Sequence, residues 1–588
     1  MLSQAFLKYG TLYASTNEEK GRRFFEKQIT PFCLVETDKE TDWKCLMSDT
    51  MLEVKKFKSV KAYNAFKKDN ITWAGTKVEN QLLRIKTDAN FVMPKYRIFD
   101  IETLDKDGMF PDPFKYDILP PITLIQFADS HDDVVHIYTY NPLVYKAGAE
   151  MHIFKDEKSM VSAYLKNLKK EKPNSMWAWG GNNFDYPYLS KRIDNLGLFE
   201  LFESVSPYGT GLSTQSVKTR DKDENDKTIY QEFSVIDGID HMDYIELYTN
   251  LSMGGRESMS LAFITEYEKV DAKLDLTVEG FKDIIAIQKA EYFPEYDVEK
   301  TNGLYDAWKA GDEEKIKELS YKLFIDYGIK DITSMQALED KIKYIQVAYI
   351  EANMMKTNLP AMLTTVSIWE QAIYSRLLSK KIAVPDSYEG EEDFKSFAGG
   401  YVFAKLGFHR WTLSEDVASM YPNIIISCNI SPETHIQAKY LTDRILELLA
   451  PMRDRLKLSD TPEDYWMNEM SQDDKDEILA YAKKHNYSFA PNGHFFDNSF
   501  VGIIPEILAE MYAERKKHKA LFKETGNSYH DLMQYTLKIM MNSVYGLLGA
   551  SFYNLANHNV SHAVTAMGRY MIKTTGDKVI EVLNDLLL

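Results

Sequence analysis

Apolar runs of strand type alternate with helical patterns between residues 95 and 197, and this alternation constrains the fold most. The run KYRIFDIETL comes first, PPITLIQFAD and DVVHIYTY follow as strands, and EKSMVSAYLKNLKK has helical spacing. A further apolar strand, SMWAWGG, leads into a loop and helix at NNFDYPYLSKRIDNLG. We therefore expect an α/β layer in this part of the chain.

The length of the chain predicts several domains, since 588 residues are enough for about three to five. Residues 1 to about 95 have the pattern of a small α/β unit, and residues 219–228 that of an exposed loop or hairpin tip. Helices dominate from about 277 to 384, and short strands return at GGYVFAKLGFHRWTL. After Pro505 the pattern is helical, with one break at YGLLGAS. The predicted fold class is multidomain, α/β and α+β.

Composition narrows the class of protein. The net charge of −18 counts against wholesale coating of nucleic acid, although it allows a local basic groove. Three cysteines without a CxxC pair argue against a disulfide framework and against a zinc site. No apolar run approaches membrane-spanning length, and the N-terminus lacks the apolar core of a signal peptide. A reducing, cytoplasmic location is the expectation.

Acidic residues recur within the apolar runs. Asp100 and Glu102 lie two apart on the first strand and share a face, and Asp185 lies at a strand-to-helix turn. Tyr327 and Asp331, four apart, share a helix face. Four carboxylates and a tyrosine meet the needs of two-metal phosphodiester cleavage, and oxygen ligands suit Mg²⁺ or Mn²⁺. Solvent-facing acids at a strand end would explain the first pair equally well.

A second candidate set begins at DVASMYPNII, residues 416–425, where Asp416 precedes an apolar run. Its other members lie on helical patterns, with Lys538, Asn542 and Tyr545 on one face and Arg515 and Lys519 at i, i+4. Packing or a solvated basic face accounts for these helical stripes when each is taken alone.

The order FDIE, NFD, YGIKD resembles the three exonuclease motifs of family B DNA polymerases with D-E-D-D-type proofreading. The resemblance implies a ribonuclease H-like 3′→5′ exonuclease domain. Asp100, Glu102, Asp185 and Asp331 would hold two Mg²⁺ or Mn²⁺ ions, and Tyr327 would position the nucleophile. One departure is that Gly180 and Gly181 stand where the family usually has an asparagine that holds the single strand.

DVASMYPNII resembles polymerase motif A of the same family, and NISPETH after it is close to the T-even-type phage polymerases. By this resemblance Asp416 binds both catalytic metals at a palm strand, while Ser419 and Tyr421 face the incoming nucleotide. Tyr421 would lie under the sugar and exclude a 2′ hydroxyl.

KIMMNSVYG resembles motif B, and FAGGYV resembles the element that joins the exonuclease and polymerase regions. Lys538 would form a cationic clamp on the triphosphate with Arg515 and Lys519. The residues implied for the nascent base pair are Asn542 and Tyr545, and those implied for DNA approach are Gly399, Gly400 and Gly546.

The implied domains are an N-terminal domain (1–95), an exonuclease domain (96–340), a return segment of the N-terminal domain (341–385), palm (386–501), fingers (502–550) and incomplete palm (551–588). The resemblance ends before the third polymerase motif, Asp-Thr-Asp-Ser, and before the thumb. We therefore expect one half of a split polymerase of partial right-hand fold, with a second polypeptide supplying the rest of the palm and the thumb.

The expected partners are primer–template DNA, single-stranded DNA, dNTP and the second polypeptide, which would also contact a sliding clamp. For a phage protein the location would be the cytoplasm of the infected host cell. Two alternatives stay open at this point. One is a free-standing 3′→5′ exonuclease, and the other is a non-enzymatic nucleic-acid-binding subunit.

Overall fold

The computed structural model describes residues 2–587, apart from 71–91, 104–110, 141–148, 222–226, 271–306, 385–398, 403–406, 409–415, 550–556 and gaps of one to three residues elsewhere. Part of the helical interval expected at 277–384, and most of the strands expected at GGYVFAKLGFHRWTL, lie outside the described residues. Among the described residues, no helix is both long and apolar enough to cross a membrane.

Two small sheets form the N-terminal region. The first is an antiparallel meander of β1 (Leu2–Lys8), β2 (Thr11–Glu18) and β3 (Gly21–Gln28). The second contains β4 (Phe32–Glu36), β5 (Trp43–Cys45) and β6 (Met51–Lys56), and helix α1 (Val60–Asp69) follows it. A strand from far along the chain, Ile382–Ala383, pairs in parallel with β5 and completes this sheet.

A six-stranded mixed sheet forms the core of the next region. Its strands are β7 (Tyr96–Thr103), β8 (Ile122–Asp129), β9 (His136–Thr139), β10 (Glu150–Ile153), β11 (Ser175–Ala178) and β14 (Asp240–Asp243). The strand order is β10-β9-β8-β7-β11-β14, and β8 runs antiparallel to both of its neighbours while the other pairs are parallel. The α/β layer expected from the sequence is therefore confirmed.

Helices cover both faces of this sheet because its strands are apolar on both sides. Helix α2 (Glu157–Glu171) packs Tyr164 against one face, and its N-terminus is capped by Asp156, which accepts from Ser159 N–H. Helices α3 (Asp185–Asn195) and α4 (Phe199–Glu203) follow β11, and the long hairpin of β12 (Leu212–Asp221) and β13 (Lys227–Ile236) precedes β14. The described pairing of this hairpin extends to Asp221 and Lys227, and residues 222–226 of the stretch expected to be an exposed loop or hairpin tip (219–228) lie outside the described residues.

Several helices contribute to the apolar core on the second face of the sheet. These are α5 (Tyr244–Leu251), α6 (Leu261–Tyr267), α7 (Glu313–Ile342), α8 (Tyr344–Met355) and α9 (Thr365–Ser379). A short 3₁₀ helix (Leu359–Leu363) separates α8 from α9, and β15 (Ile382–Ala383) follows α9. One continuous apolar core joins Ile325 of α7 to Trp369 of α9 and to the helices of the C-terminal region.

The C-terminal region is mostly helical. It contains α10 (Met420–Ser427), α11 (Asp443–Lys457), α12 (Pro462–Asp464, continued as a π-turn over Tyr465–Glu469), α13 (Gln472–His485), and the hairpin of β16 (Tyr487–Ala490) and β17 (His494–Asp497). A short 3₁₀ turn, Ala438–Tyr440, precedes α11. Three long helices then follow: α14 (Ile503–Thr525), α15 (Ser528–Leu548) and α16 (His558–Leu587).

A two-residue turn joins α14 to α15 into an antiparallel helical hairpin. Gly526 ends α14 with a left-handed backbone (φ 66°), and Asn527 caps α15 by accepting from Tyr529 N–H. A left-handed residue is needed to reverse the chain so sharply, which explains the glycine at this position. The hairpin places residues equally distant from the turn side by side.

Candidate active site

Three carboxylates meet where β7 faces α7. Period-two geometry puts Asp100 and Glu102 on the face of β7 that α7 covers, and α7 brings Asp331 to them. One carboxylate oxygen from each of the three lies within 4.8 Å of the others. Three carboxylates this close repel one another strongly unless a cation lies between them.

Asp185 adds a fourth carboxylate from the first turn of α3. Its Oδ1 accepts a 3.3 Å hydrogen bond from the backbone N–H of Ile101, between Asp100 and Glu102 in sequence. Burial raises the pKa of Asp185 well above its ordinary value, and the negative charge of Asp100 raises it further. The site therefore favours binding of either protons or metal cations.

Tyr327 lies one helical turn before Asp331 and is buried. Burial is the main cause that raises the pKa of its phenol, and the charges of Asp331, Glu102 and Asp100 act in the same direction. The hydroxyl consequently keeps its proton at neutral pH. It can donate a hydrogen bond next to the carboxylates.

Two polar residues at this site were not singled out from the sequence. Gln126 on β8 donates a 2.6 Å hydrogen bond from Nε2 to Asp100 Oδ2. Asp243, at the end of β14, accepts from the backbone N–H groups of Gly180, Asn182 and Ile245, and burial raises its pKa to about 6. Asp243 could have been found from the sequence, because it is a carboxylate at the carboxyl end of a parallel strand. Gln126 could not, because its position beside Asp100 depends on strand register.

The asparagine after the glycine pair is held in a polar network. Asn182 donates from Nδ2 to Glu246 Oε1 at 3.2 Å and accepts from Gln215 Nε2 at 2.9 Å. Gly180 has a left-handed backbone (φ 81°) that turns the chain from β11 towards Asn182. Asn182 therefore lies beside the β12–β13 hairpin with its amide already engaged.

The second candidate set surrounds the start of α10. Asp416 is exposed and lies in an irregular segment, and the residues before it are outside the described part of the chain. Ser419 has a left-handed backbone (φ 51°, ψ 45°) and directly precedes α10, so the chain turns sharply here. Arg515 of α14 donates from Nη1 to Ser419 Oγ at 3.2 Å.

Tyr421 and Tyr545 are brought together at the base of the α14–α15 hairpin. Their ring centroids are 5.2 Å apart, with an interplanar angle of 47°. Gly400 lies against the Tyr421 hydroxyl and Gly568 against the Tyr421 ring, since a Cβ at these positions would fall 3.2 Å from Oη and 2.9 Å from Cε1. The tyrosine therefore packs in a slot that excludes side chains.

Four of the remaining predicted residues are exposed: Lys519, Asn542, Gly546 and Gly399. The carbonyl of Gly399 accepts a 2.6 Å hydrogen bond from Arg569 Nη1. Lys538 is partly buried on α15. Arg515 lies ten residues before Thr525 and Lys538 ten residues after Ser528, so the hairpin sets them at equal height.

Two family models match this chain. The model of the DNA polymerase family B exonuclease domain matches residues 41–261, and that of DNA polymerase family B matches residues 367–586. This chain belongs to DNA polymerase family B. It contains a family B exonuclease region that includes Asp100, Glu102 and Asp185, and a polymerase region that includes Asp416 and Lys538.

Known relatives agree with this family. The chain is 24% identical over 569 residues to the DNA-directed DNA polymerase of Enterobacteria phage T4, covering 82% of this chain and 55% of the relative. For the polymerase of Escherichia phage RB69 the identity is 21%, covering 83% and 55%. The DNA polymerase delta catalytic subunit of Oryza sativa subsp. japonica is 24% identical, covering 82% and 39%. The chain thus spans about half the length of the phage relatives.

Proposed function

We propose that the site at Asp100, Glu102, Asp185 and Asp331 degrades single-stranded DNA from its 3′ end. The observation that carries this proposal is the convergence of three carboxylates within 4.8 Å, with the buried Asp185 beside them. The donor set fits two Mg²⁺ or Mn²⁺ ions, because hard cations take carboxylate oxygens and would relieve the repulsion. When bound, such ions supply charge stabilisation for the attacking and leaving oxygens.

The strand order supports a ribonuclease H-like domain, because three parallel strands lie beside a strand that is antiparallel to both of its neighbours. Within this domain the four carboxylates hold the metals, and the protonated Tyr327 orients the attacking water. Asn182 lies where the single strand would enter, between the glycine pair and the β12–β13 hairpin.

We further propose that the C-terminal region contributes to templated DNA synthesis from dNTP on a primer–template. Asp416 is the metal ligand, Ser419 and Tyr421 face the nucleotide, and Arg515, Lys519 and Lys538 hold the triphosphate. Asn542 and Tyr545 line the base-pair pocket, and Gly399, Gly400 and Gly546 allow the DNA backbone to approach. The Arg515–Ser419 contact supports this arrangement, since it places a guanidinium at the sharp turn after Asp416.

Synthesis by this site requires further palm ligands, because a single carboxylate balances little of the charge of two divalent ions. These ligands, with the thumb, belong either to this polypeptide or to a second one, which would also carry any sliding-clamp contact. Ile580 and Leu583 of α16 are 59% and 41% exposed and lie one turn apart. We propose that the rest of the palm packs on this apolar strip.

Digestion of a 5′-labelled single strand with Mg²⁺ tests the exonuclease. The unmodified chain should shorten the labelled strand stepwise, and the double variant Asp100→Ala with Glu102→Ala should abolish this digestion. The matched control is Asp473→Ala with Asp476→Ala, which removes two exposed carboxylates from α13 and should leave the rate unchanged. Wild-type nuclease rates in the Asp100/Glu102 double variant would refute the assignment.

Primer extension tests the polymerase proposal separately. The 588 residues should extend a primer only when the rest of the palm is supplied, and Asp416→Ala should abolish extension while sparing the nuclease. Extension by the 588 residues alone would show that the metal ligands of the palm are wrongly assigned. A failure to extend under all conditions, with an active nuclease, would favour the free-standing exonuclease.

A further inference from the structure

Two histidines and a glutamate cluster at the outer edge of the six-stranded sheet. His136 lies on β9, and Glu150 and His152 lie on the edge strand β10. In the parallel register Glu150 is opposite His136, and His152 is opposite Tyr138. Because residues two apart on a strand share a face, all these side chains lie on one side of the sheet.

The glutamate lies between the two imidazoles. Its Oε2 atom is 3.7 Å from His136 Nδ1, and its Oε1 atom is 3.3 Å from His152 Nε2. One potential ligand atom from each of the three residues lies within 4.8 Å of the others. Two imidazoles and a carboxylate form the donor set of many Zn²⁺ sites, which keep a fourth position for water.

A second carboxylate orients His136 from behind. Asp132 Oδ2 lies 3.4 Å from His136 Nε2, on the opposite edge of the ring from Nδ1. Asp132 is itself held by the Val134 N–H, which donates to its Oδ1 at 3.1 Å. A carboxylate that accepts the far N–H of an imidazole fixes the tautomer whose free nitrogen binds a metal.

Aromatic packing holds both imidazoles in place. Phe127 stacks on His136 with ring centroids 4.9 Å apart, and Tyr138 lies 4.7 Å from the His152 ring. The ligands are thus arranged before an ion arrives.

This cluster is separate from the exonuclease carboxylates. Phe127 pairs with Phe99 and His136, whereas Gln126 pairs with Asp100 and Ile137. Neighbouring positions on β8 point to opposite faces, so the His136 cluster lies on the α2 face and Asp100 on the α7 face. The two sites share no ligand.

We propose that His136, Glu150 and His152 form a binding site for a borderline transition-metal ion, with Zn²⁺ as the best match. Imidazole nitrogens select such ions over Mg²⁺ and Ca²⁺. The cysteine pattern bears only on thiolate sites, so the sequence expectation of no zinc site does not extend to this donor set. A bound ion would fasten the edge strand β10 to β9, where one side of β10 lacks a neighbouring strand in the described sheet.

Titration with Zn²⁺ tests the proposal in the full chain. The parent is the Asp100→Ala/Glu102→Ala double variant, which lacks two of the exonuclease carboxylates, so that the result is independent of nuclease activity. One Zn²⁺ per chain should bind, and Co²⁺ substitution should give the visible absorption of a low-coordinate site. His136→Ala and His152→Ala should each abolish both signals.

Three further variants test whether the Zn²⁺ signal depends on this site. His131→Ala removes a nearby exposed histidine that pairs with Glu171 and should not change binding. Asp132→Asn should weaken Zn²⁺ binding about 10- to 100-fold, because it removes the charged acceptor that orients His136. If a histidine variant does not fold, Glu150→Gln replaces it in the test, because Glu150 is exposed and its substitution should not affect folding. Equal Zn²⁺ binding by the parent, His152→Ala and Glu150→Gln, or no stoichiometric binding by the parent, would overturn the proposal.

Discussion

Gln126 Nε2 donates a 2.6 Å hydrogen bond to Asp100 Oδ2 from the neighbouring antiparallel strand. Gly328 of α7 lies against this amide, and a Cβ there would fall 3.2 Å from Gln126 Nε2. The amide is thus fixed between the strand that carries Asp100 and the helix that carries Asp331. One oxygen of Asp100 is engaged by protein, which orients the carboxylate.

Gln126→Met should therefore weaken metal use by the nuclease. The substitution keeps the side chain's length but removes the donor, so Asp100 loses its orienting partner. We expect the Mg²⁺ concentration for half-maximal exonuclease rate to rise about 10- to 100-fold. Gln534→Met, on α15, is the control for a generic Gln→Met change. Identical Mg²⁺ dependence in the two variants would show that the hydrogen bond does not orient a metal ligand.

Tyr327→Phe should slow the nuclease without unfolding the domain. Removing the phenol hydroxyl leaves the attacking water less well positioned, and misplacement of a reacting group costs on the order of 100-fold in rate. Single-turnover digestion at saturating Mg²⁺ measures this. Tyr349→Phe removes another buried hydroxyl, the one bonded to Ser175 Oγ at 2.7 Å, away from the carboxylates. Equal rates for the two variants would contradict the role proposed for Tyr327.

Local pattern predicted most elements of the exonuclease region, whereas the grouping of the four carboxylates into one site was implied by the family resemblance. The spacing of Asp100 and Glu102 puts both on one strand face, and the helical period of EKSMVSAYLKNLKK predicted the helix that spans Glu157–Glu171. These features depend only on residues close in sequence. The structure adds that α7 brings Asp331 to the strand.

Pairing between distant segments could not be read from the sequence. The Asp100–Gln126 contact depends on the register of β7 against β8, and the Ile382–Ala383 strand joins a sheet formed more than 300 residues earlier. The same holds for the His136–Glu150 contact, which depends on the parallel pairing of β9 with β10. Strand register is set by the whole sheet, so no local motif reports it.

Glu351→Gln should stabilise the protein at alkaline pH. Glu351 is 2% exposed on α8, and burial raises its pKa to about 8. In the unfolded chain a glutamate ionises near pH 4.3, so between about pH 4.3 and 8 the folded state binds more protons. The folded state is therefore progressively disfavoured as the pH rises through that window.

The glutamine variant removes this proton linkage. Its melting temperature should equal that of the parent at pH 4 and exceed it at pH 8 by the equivalent of several kcal/mol, since a pKa difference of one unit between the folded and unfolded states corresponds to about 1.4 kcal/mol. Glu524→Gln, at an exposed position near the end of α14, should show no such divergence. A parent and Glu351→Gln variant that melt in parallel across this range would mean that Glu351 is ionised in the fold.

The last prediction concerns the triphosphate. Arg515 Nε is buried and has no hydrogen-bond acceptor among the described residues, while Nη1 is held by Ser419 Oγ. Lys538 stands at the same height on the facing helix. A guanidinium with a buried, unsatisfied donor beside a lysine gains most from an anion that reaches both, and a triphosphate has the charge and the oxygens to do so.

Lys538→Ala should accordingly weaken dNTP binding by roughly 1.5–3 kcal/mol, the cost of losing one charged hydrogen bond, and change DNA binding much less. Arg515→Ala should do the same. Both affinities are measured separately in an assembly that extends primers. The control is Lys523→Ala, which removes an exposed lysine from the last turn of α14, beyond reach of Ser419. If Lys538→Ala and Lys523→Ala leave the same apparent dNTP affinity, Lys538 does not hold the triphosphate and the proposed clamp is wrong.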